Sequence, residues 1–243
     1  MSKLKRYLAA TSYRFSSFKY LDRQVIEVND FRELMKLFRW EIEPVLERQD
    51  MYDCNFIEDL NERKLRDTET LATVMSNVQP KTALEIGTAD GMGTLLLAKN
   101  SPSSKIYTVN IPPEEIEEGG RFVTYAPERD AIGSAFKASA YSKNIQQIYA
   151  NTATWEPNIG TIDFAFIDGC HDTKFVYNDT RKILKHAKKG SFILWHDFNP
   201  SLVKKFNWIH SVCKGVDRLC RDGLINGPIF HIKDSWVGIH KVC

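Results

Sequence analysis

No run of about 18 apolar residues occurs in this chain of 243 residues, so no segment has the make-up of a bilayer-spanning helix. The first residues also lack the apolar stretch and small-residue cleavage site of a secretory leader, and a cytoplasmic location is expected. Cysteine is sparse and poorly spaced. Cys54, Cys170, Cys213, Cys220 and Cys243 form an odd set without a C-x-x-C pair, which suits neither a disulfide framework nor a zinc cluster. Reduced thiols are the expectation. Internal repeats and low-complexity tracts are missing too. A net charge of only +2 leaves no excess of either sign, and nucleic acid is not an expected partner.

What is present is ordinary globular composition, 43% hydrophobic and 26% charged, enough for one large α/β domain with an appendage. The charge is unevenly placed. Residues 1–24 carry Lys3, Lys5, Arg6, Arg14, Lys19 and Arg23 against Asp22 alone, with Tyr7, Tyr13, Phe15, Phe18 and Tyr20 interleaved. Such an arm could lie on an anionic membrane face, touch nucleic acid or cover a partner subunit; packing on its own or a neighbouring protomer is the favoured reading, and a homodimer is expected.

Residues 25 to about 80 read as helical. Phe31, Leu34, Met35, Leu37 and Phe38 recur at helical spacing behind Asn29 or Asp30 as a cap, and Asp67, Thr68, Leu71, Val74 and Met75 mark a second helix ending before Pro80. From Lys81 onward, apolar runs near 82–86, 105–111, 145–149, 162–167 and 191–195 alternate with helical patterns near 92–99, 127–138 and 173–187. That alternation predicts a parallel sheet covered by helices on both faces. After a helical stretch over 201–222, two apolar runs separated by Lys233 and Asp234 predict a terminal hairpin. The expected division is an N-terminal helical arm or cap, residues 1–64, and an α/β domain, residues 65–243.

The segment TALEIGTADGMGT, Thr82 to Thr94, reads as a buried strand running through a glycine turn into a helix. In α/β proteins this is where nucleotide-like cofactors bind. A dinucleotide turn places its first two glycines one residue apart, whereas Gly87, Ala89 and Gly91 follow Glu85 at spacings of two. This order resembles motif I of class I S-adenosylmethionine-dependent methyltransferases. A plain strand-to-helix connection, a nicotinamide-dependent oxidoreductase and a degenerate methyltransferase-fold binding module are the alternatives.

A second constellation comes from IDFAFIDGCHD (162–172) and SFILWHDF (191–198), each an apolar strand ending in polar residues. Asp168, His171, Asp172, His196 and Asp197 should therefore meet at one rim, Asp172 as the cap of the following helix. Together with motif I, the D-G-x-H and W-H-D runs resemble the small-molecule O-methyltransferase branch of the class I fold, which includes macrolide-sugar O-methyltransferases, and more distantly the catechol-type enzymes. The resemblance covers roughly residues 65–240.

It implies a Rossmann-like sheet with a C-terminal antiparallel hairpin and transfer of a methyl group from S-adenosylmethionine to a hydroxyl of a small acceptor, a sugar or secondary metabolite. Glu85, Gly87, Thr88, Gly91 and Gly93 would hold the methionine part of the cofactor. Asn110 would take the ribose hydroxyls where relatives have an acidic residue, Asn151 and Thr152 would lie beside the adenine, and Asp168 would close the site. Transfer to a hydroxyl calls for a general base with a pKa near neutrality, and His171, three residues past Asp168 at a strand end, is the candidate, with Asp168 as the second catalytic group. A divalent cation, Mg2+ or another metal, would be held by Asp168, Asp197 and His196, with Asn199 as a substitute for the absent third oxygen ligand, since Phe198 stands where relatives place one. Residues 25–64 and Pro112 to Phe136 are expected to cover the acceptor.

Overall fold

The computed structural model describes residues 18–46, 61–118 and 127–243. Most of the basic arm, Cys54 and part of the expected acceptor cover, residues 119–126, lie outside the described residues. Among the described residues a 3-10 turn (Leu21–Arg23) precedes strand β1 (Val25–Val28), helix α1 (Phe31–Phe38) and helix α2 (Asn61–Val78). Strand β2 (Thr82–Ile86), helix α3 (Met92–Asn100), β3 (Lys105–Asn110), the short helix α4 (Ser134–Lys137) and β4 (Ile145–Tyr149) follow. The second half contains β5 (Ile162–Ile167), α5 (Thr173–Leu184), β6 (Ala187–Trp195), α6 (Asn207–Arg221), β7 (Ile229–Ile232) and β8 (Gly238–Lys241).

The eight strands among the described residues belong to one sheet in the order β1-β7-β8-β6-β5-β2-β3-β4. The five strands β6, β5, β2, β3 and β4 run parallel, and β8 is antiparallel to both β6 and β7. The predicted five-stranded parallel sheet with a closing hairpin is thus the observed one. Strand β1 departs from the helical expectation for residues 25–80, because Val25–Val28 pairs in parallel with β7 at the sheet edge. The reason is local. Val, Ile and Val on a four-residue run favour extended backbone, and a free edge was available to receive it. Helix α4 is also shorter than the predicted span 127–138. Gly133 at φ +70° sits just before it, and residues 129–133 form turns.

Two apolar layers flank the sheet. Leu84, Ile86, Val109, Ala165, Ile167, Ile193 and Trp195 face α5 and α6, while Ala83, Ile106, Phe164, Phe166, Phe192 and Leu194 face α2 and α3. Consecutive residues of β5 and β6 are buried on both faces, as a central parallel strand requires. Helix α1 starts as expected: Asp30 Oδ1 accepts from the Glu33 amide at 2.9 Å, and Glu33 Oε2 returns the bond to the Asn29 amide at 2.9 Å. Its end is fastened by aromatic packing, with Phe38 and Trp40 stacked at 4.5 Å and Phe38 edge-on to Phe192 and Phe230. Aromatic pairs of this kind contribute about 0.5–1.5 kcal/mol each beyond their buried area.

Strands run outward from β2 through β3 to β4 on one side and from β5 to β6 on the other. The chain therefore reverses its winding between β2 and β5, and the crevice above that point is where open α/β sheets hold ligands.

Candidate active site

Both polar constellations lie at this crevice. Strand β2 delivers Gly87 at φ +101°, whose amide donates to Val109 O at 2.8 Å, and the Asp168 amide donates to Ile86 O at 2.7 Å. A Cβ on Gly87 would lie 2.5 Å from the carbonyl carbon of Asp168, so only glycine lets the turn close onto β5. Ala89 at φ 49° and Gly91 at φ +88° complete the turn, and α3 starts at Gly91 with no side-chain cap. Asp90 Oδ1 accepts from the first helical amide, Met92 N, at 3.1 Å, so a carboxylate of the chain itself stands at the start of α3.

Glu85 is buried beneath the turn, where its Oε2 accepts from Thr94 and, at 2.6 Å, from Thr108 Oγ1. Since Thr108 gives its proton to Glu85, the 2.7 Å contact between Thr88 and Thr108 has Thr88 as donor, and Gln147 Nε2 in turn donates to Thr88 at 2.9 Å. Burial pushes the Glu85 carboxyl up to about 7, and the two threonine hydroxyls oppose that rise. Glu85 thus ties β2, β3 and α3 together under the turn, with Thr88 in the same chain of bonds. Gly93 is buried in the first turn of α3.

Asn110, at the end of β3, accepts from the Ala89 amide at 3.0 Å and donates to Ile111 O at 2.9 Å. It braces the glycine turn from the side. After β4, Asn151 Oδ1 accepts from Ala153 N at 3.0 Å, and Thr152 Oγ1 donates to Asp179 Oδ2 at 3.2 Å. The loop is held from below by Lys182 of α5, a buried cation whose Nζ donates to Thr152 O at 2.7 Å and Trp155 O at 2.6 Å. Lys182 and Asp179 carried no sequence signal beyond an amphipathic helix.

At the ends of β5 and β6 the predicted cluster forms. His171 Nε2 lies 3.0 Å from Asp197 Oδ2 and 3.7 Å from Asp168 Oδ1, while His196 Nδ1 lies 3.0 Å from Asp168 Oδ1 and 3.6 Å from Asp197 Oδ2. Burial alone would lower both imidazoles. The facing charges of Asp197 and Asp168 outweigh it, holding His171 above its ordinary value and His196 well above. Asp197 adopts a left-handed backbone at φ 51° and accepts from Trp208 Nε1 at 3.2 Å through its other oxygen. Strained backbone of this sort costs about 1–3 kcal/mol and persists where surrounding structure over-determines it.

Two residues depart from expectation. Asp172 occupies the position before α5, yet its side chain makes no cap bond. Ser211 Oγ on α6 accepts from the Thr173 amide at 2.9 Å in its place. From Asp172 an open groove of about 860 Å³ extends between α5 and α6, lined by Lys174, His210, Lys214 and Arg218. Asn199 is turned away from the cluster: Ser201 N and Oγ donate to its oxygen, and its amide donates to Ser235 O at 3.1 Å. Phe198 is wholly buried against Gly238 and takes no part.

The sequence reading missed Asp67. This α2 residue is fully buried, its Oδ2 lies 3.1 Å from His196 Nε2, and its Oδ1 accepts from Ser235 Oγ at 3.0 Å and Trp236 N at 2.6 Å. A single acid in an otherwise unremarkable helix gave no hint of it. Cys213, Cys220 and Cys243 are free thiols.

Residues 84–198 match the family described as a methyltransferase domain. A curated relative, an uncharacterised protein of Acanthamoeba polyphaga mimivirus, is 26% identical over 147 residues, 58% of this chain and 60% of that protein, so the match spans less than two thirds of the relative. Among solved structures the chain is similar to the O-methyltransferase NovP, at 11% identity and a TM-score of 0.59 over 87% of this chain and 96% of that one. It is also similar to an O-methyltransferase family protein from Burkholderia thailandensis, at 13% identity and a TM-score of 0.51 over 87% and 68%. These likenesses show the fold. The parallel sheet with its closing antiparallel hairpin is the Rossmann-like fold of these structures, and residues 84–198 are similar to a methyltransferase domain.

Proposed function

We propose that the protein is an S-adenosylmethionine-dependent O-methyltransferase that acts on a hydroxyl of a small acceptor, a sugar or secondary metabolite, with His171 as general base. The observation that carries the base assignment is the pairing of its two ring nitrogens. Nε2 is engaged by Asp197 at 3.0 Å, and Nδ1 is buried without a partner among the described residues. In the uncharged ring, the nitrogen facing an ionised Asp197 is the one that carries the proton, which leaves the lone pair on Nδ1. That is the arrangement in which a carboxylate fixes the tautomer of a catalytic imidazole.

The cofactor supplies an electrophilic methyl on a sulfonium. The residues of this chain fit it: the glycine turn from Gly87 to Gly91 lets backbone approach its methionine part, and Asn110 and Asn151 stand at the ends of β3 and β4 for its nucleoside. Displacement at the methyl is in-line, and positioning supplies most of the acceleration. His171 removes the acceptor proton as the oxygen attacks, and Asp197 and Asp168 stabilise the resulting imidazolium. Asp168 and Asp197 are also suited to hold a divalent cation, since Asp168, His171 and Asp197 place ligand atoms within 4.8 Å of one another. When bound, such a cation would lower the pKa of the acceptor hydroxyl.

Calorimetry with S-adenosylhomocysteine tests the cofactor: binding is expected, and no heat at millimolar ligand would remove the proposal. For the base, His171→Ala should lower kcat by about 10²–10⁴ with cofactor affinity nearly unchanged. Equal loss of both would make His171 structural. The same reading carries a cytoplasmic homodimer, resting on the aromatic, basic arm of residues 1–24, and light scattering of the full chain checks its mass.

A further inference from the structure

We infer that the groove between α5 and α6 is a phosphate-binding site, and that it holds an anionic part of the acceptor beside the rim. The acceptor role rests on the methyltransferase proposal, whereas the phosphate site stands on the groove alone.

Four cations, Lys174, Lys214, Arg218 and Arg221, line this space of about 860 Å³ against two carboxylates, Asp172 and Asp217. Asp217 is engaged elsewhere: its Oδ1 accepts from the Tyr20 and Leu21 amides, each at 2.9 Å, and fastens the root of the basic arm to α6. Arg221 is engaged too, its Nε donating to Asp222 Oδ1 at 2.8 Å. Lys174, Lys214 and Arg218 remain, all exposed and none in an ion pair among the described residues. Lys214 and Arg218 stand one turn apart on the same face of α6, where like charges repel unless an anion lies between them.

Arg218 is also held in place. Its guanidinium lies over the Tyr177 ring, 5.9 Å from the centroid, and the Tyr177 hydroxyl donates to Asp222 Oδ2 at 3.0 Å. Stacking leaves the edge of the guanidinium, with its N–H fork, turned outward for two oxygens of a phosphate. Shape then decides the source of that phosphate. A groove of this volume is the size of a small-molecule site, and a flat bilayer surface cannot enter it. Phe18 supplies an apolar wall, its ring 5.1 Å from that of His210.

Position gives the ligand its role. The groove opens at Asp172, the residue after His171, and α6 begins beside the rim, where Trp208 donates to Asp197 at 3.2 Å. Lys214 lies roughly 9 Å further along α6 at a rise of about 1.5 Å per residue, a length that a phosphorylated sugar of one or two units spans. A phosphate bound at Lys214 and Arg218 thus anchors a molecule whose hydroxyl reaches the rim.

The probe is inorganic pyrophosphate, added to the full chain in metal-free, low-salt buffer and followed by calorimetry. Its binding should weaken by about ten-fold or more in Arg218→Glu and in Lys214→Glu, both at exposed positions. Lys105→Glu, the same charge change at the start of β3, should leave it unchanged. Saturating S-adenosylhomocysteine should leave it unchanged as well, since cofactor and acceptor are held together during transfer. No heat at millimolar pyrophosphate, an equal loss in Lys105→Glu, competition with S-adenosylhomocysteine, or binding to phosphatidylglycerol vesicles by a chain that ignores pyrophosphate would each overturn the assignment. A chain that binds pyrophosphate through Lys214 and Arg218 yet binds no S-adenosylhomocysteine would keep the phosphate site and remove the methyltransferase proposal, and the acceptor role with it.

Discussion

Substituting Gly87 by alanine is the sharpest probe of the way the cofactor turn depends on the rim. An alanine Cβ there would sit 2.5 Å from the carbonyl carbon of Asp168 and 3.0 Å from the Gly169 amide nitrogen, where ordinary contact needs about 3.4 Å or more. The turn and the end of β5 must separate by about 1 Å, in a backbone at φ +101° that costs an L-residue roughly 1–2 kcal/mol by itself. Overpacking adds about 1–3 kcal/mol, for a total loss near 2–5 kcal/mol. A displacement of 1 Å between the cofactor cradle and Asp168 should also cost about 100-fold in turnover. Gly190→Ala is the control. Gly190 has φ +92° and nothing within 4 Å of its added carbon, so it carries the backbone term alone. Urea unfolding should show Gly87→Ala less stable than Gly190→Ala by the packing term, and calorimetry should show S-adenosylhomocysteine affinity falling more than ten-fold in the first and unchanged in the second. Equal unfolding midpoints with wild-type affinity in both would refute the claim that glycine is there to let the turn meet Asp168.

Two further outcomes follow from the loop after β4. Lys182→Met removes the cation that donates to Thr152 O and Trp155 O, and stability should fall by about 3 kcal/mol, with weaker S-adenosylhomocysteine binding, in paired unfolding and calorimetry experiments; unchanged affinity would detach the loop from the adenine. Asp179 is 1% exposed and burial pushes its carboxyl up to about 7, with Thr152 and Lys182 pulling the other way. The folded chain therefore keeps a proton between about pH 4 and 7 that the unfolded chain has released, so this stabilisation is complete below about pH 4 and is lost as pH rises through 7. The ceiling is about 4 kcal/mol. Asp179→Asn should gain on the wild type between pH 5 and pH 8 in urea midpoints, and a constant difference across that range would show that Asp179 does not titrate as described.

Much of this was legible in one dimension because the relevant signals are local. Strand period, glycine spacing and the turn at Lys233 and Asp234 are properties of a few adjacent residues, and they specified β2 to β6, the hairpin and the turn over Gly87 to Gly91. The rim was readable for the same reason, as an apolar strand of a parallel sheet must end on the ligand side and carry its polar residues there. Strand β1 escaped because Val25–Val28 is too short to show a period, and its state was set by the free edge of β7.

By itself the sequence determined that a glycine turn, Asp168, His171, His196 and Asp197 would share one end of a parallel sheet. Only the tertiary structure decided which hydrogen bonds those groups make. Asp67 lies 101 residues before Asp168 in the chain and reaches the rim through the packing of α2 against the sheet, and Lys182 reaches the loop after β4 through the back of α5. The direction of an imidazole ring, and with it which nitrogen carries the proton, depends on partners brought together from distant parts of the chain. No short-range pattern encodes that information, because it is the close-packed interior that fixes it.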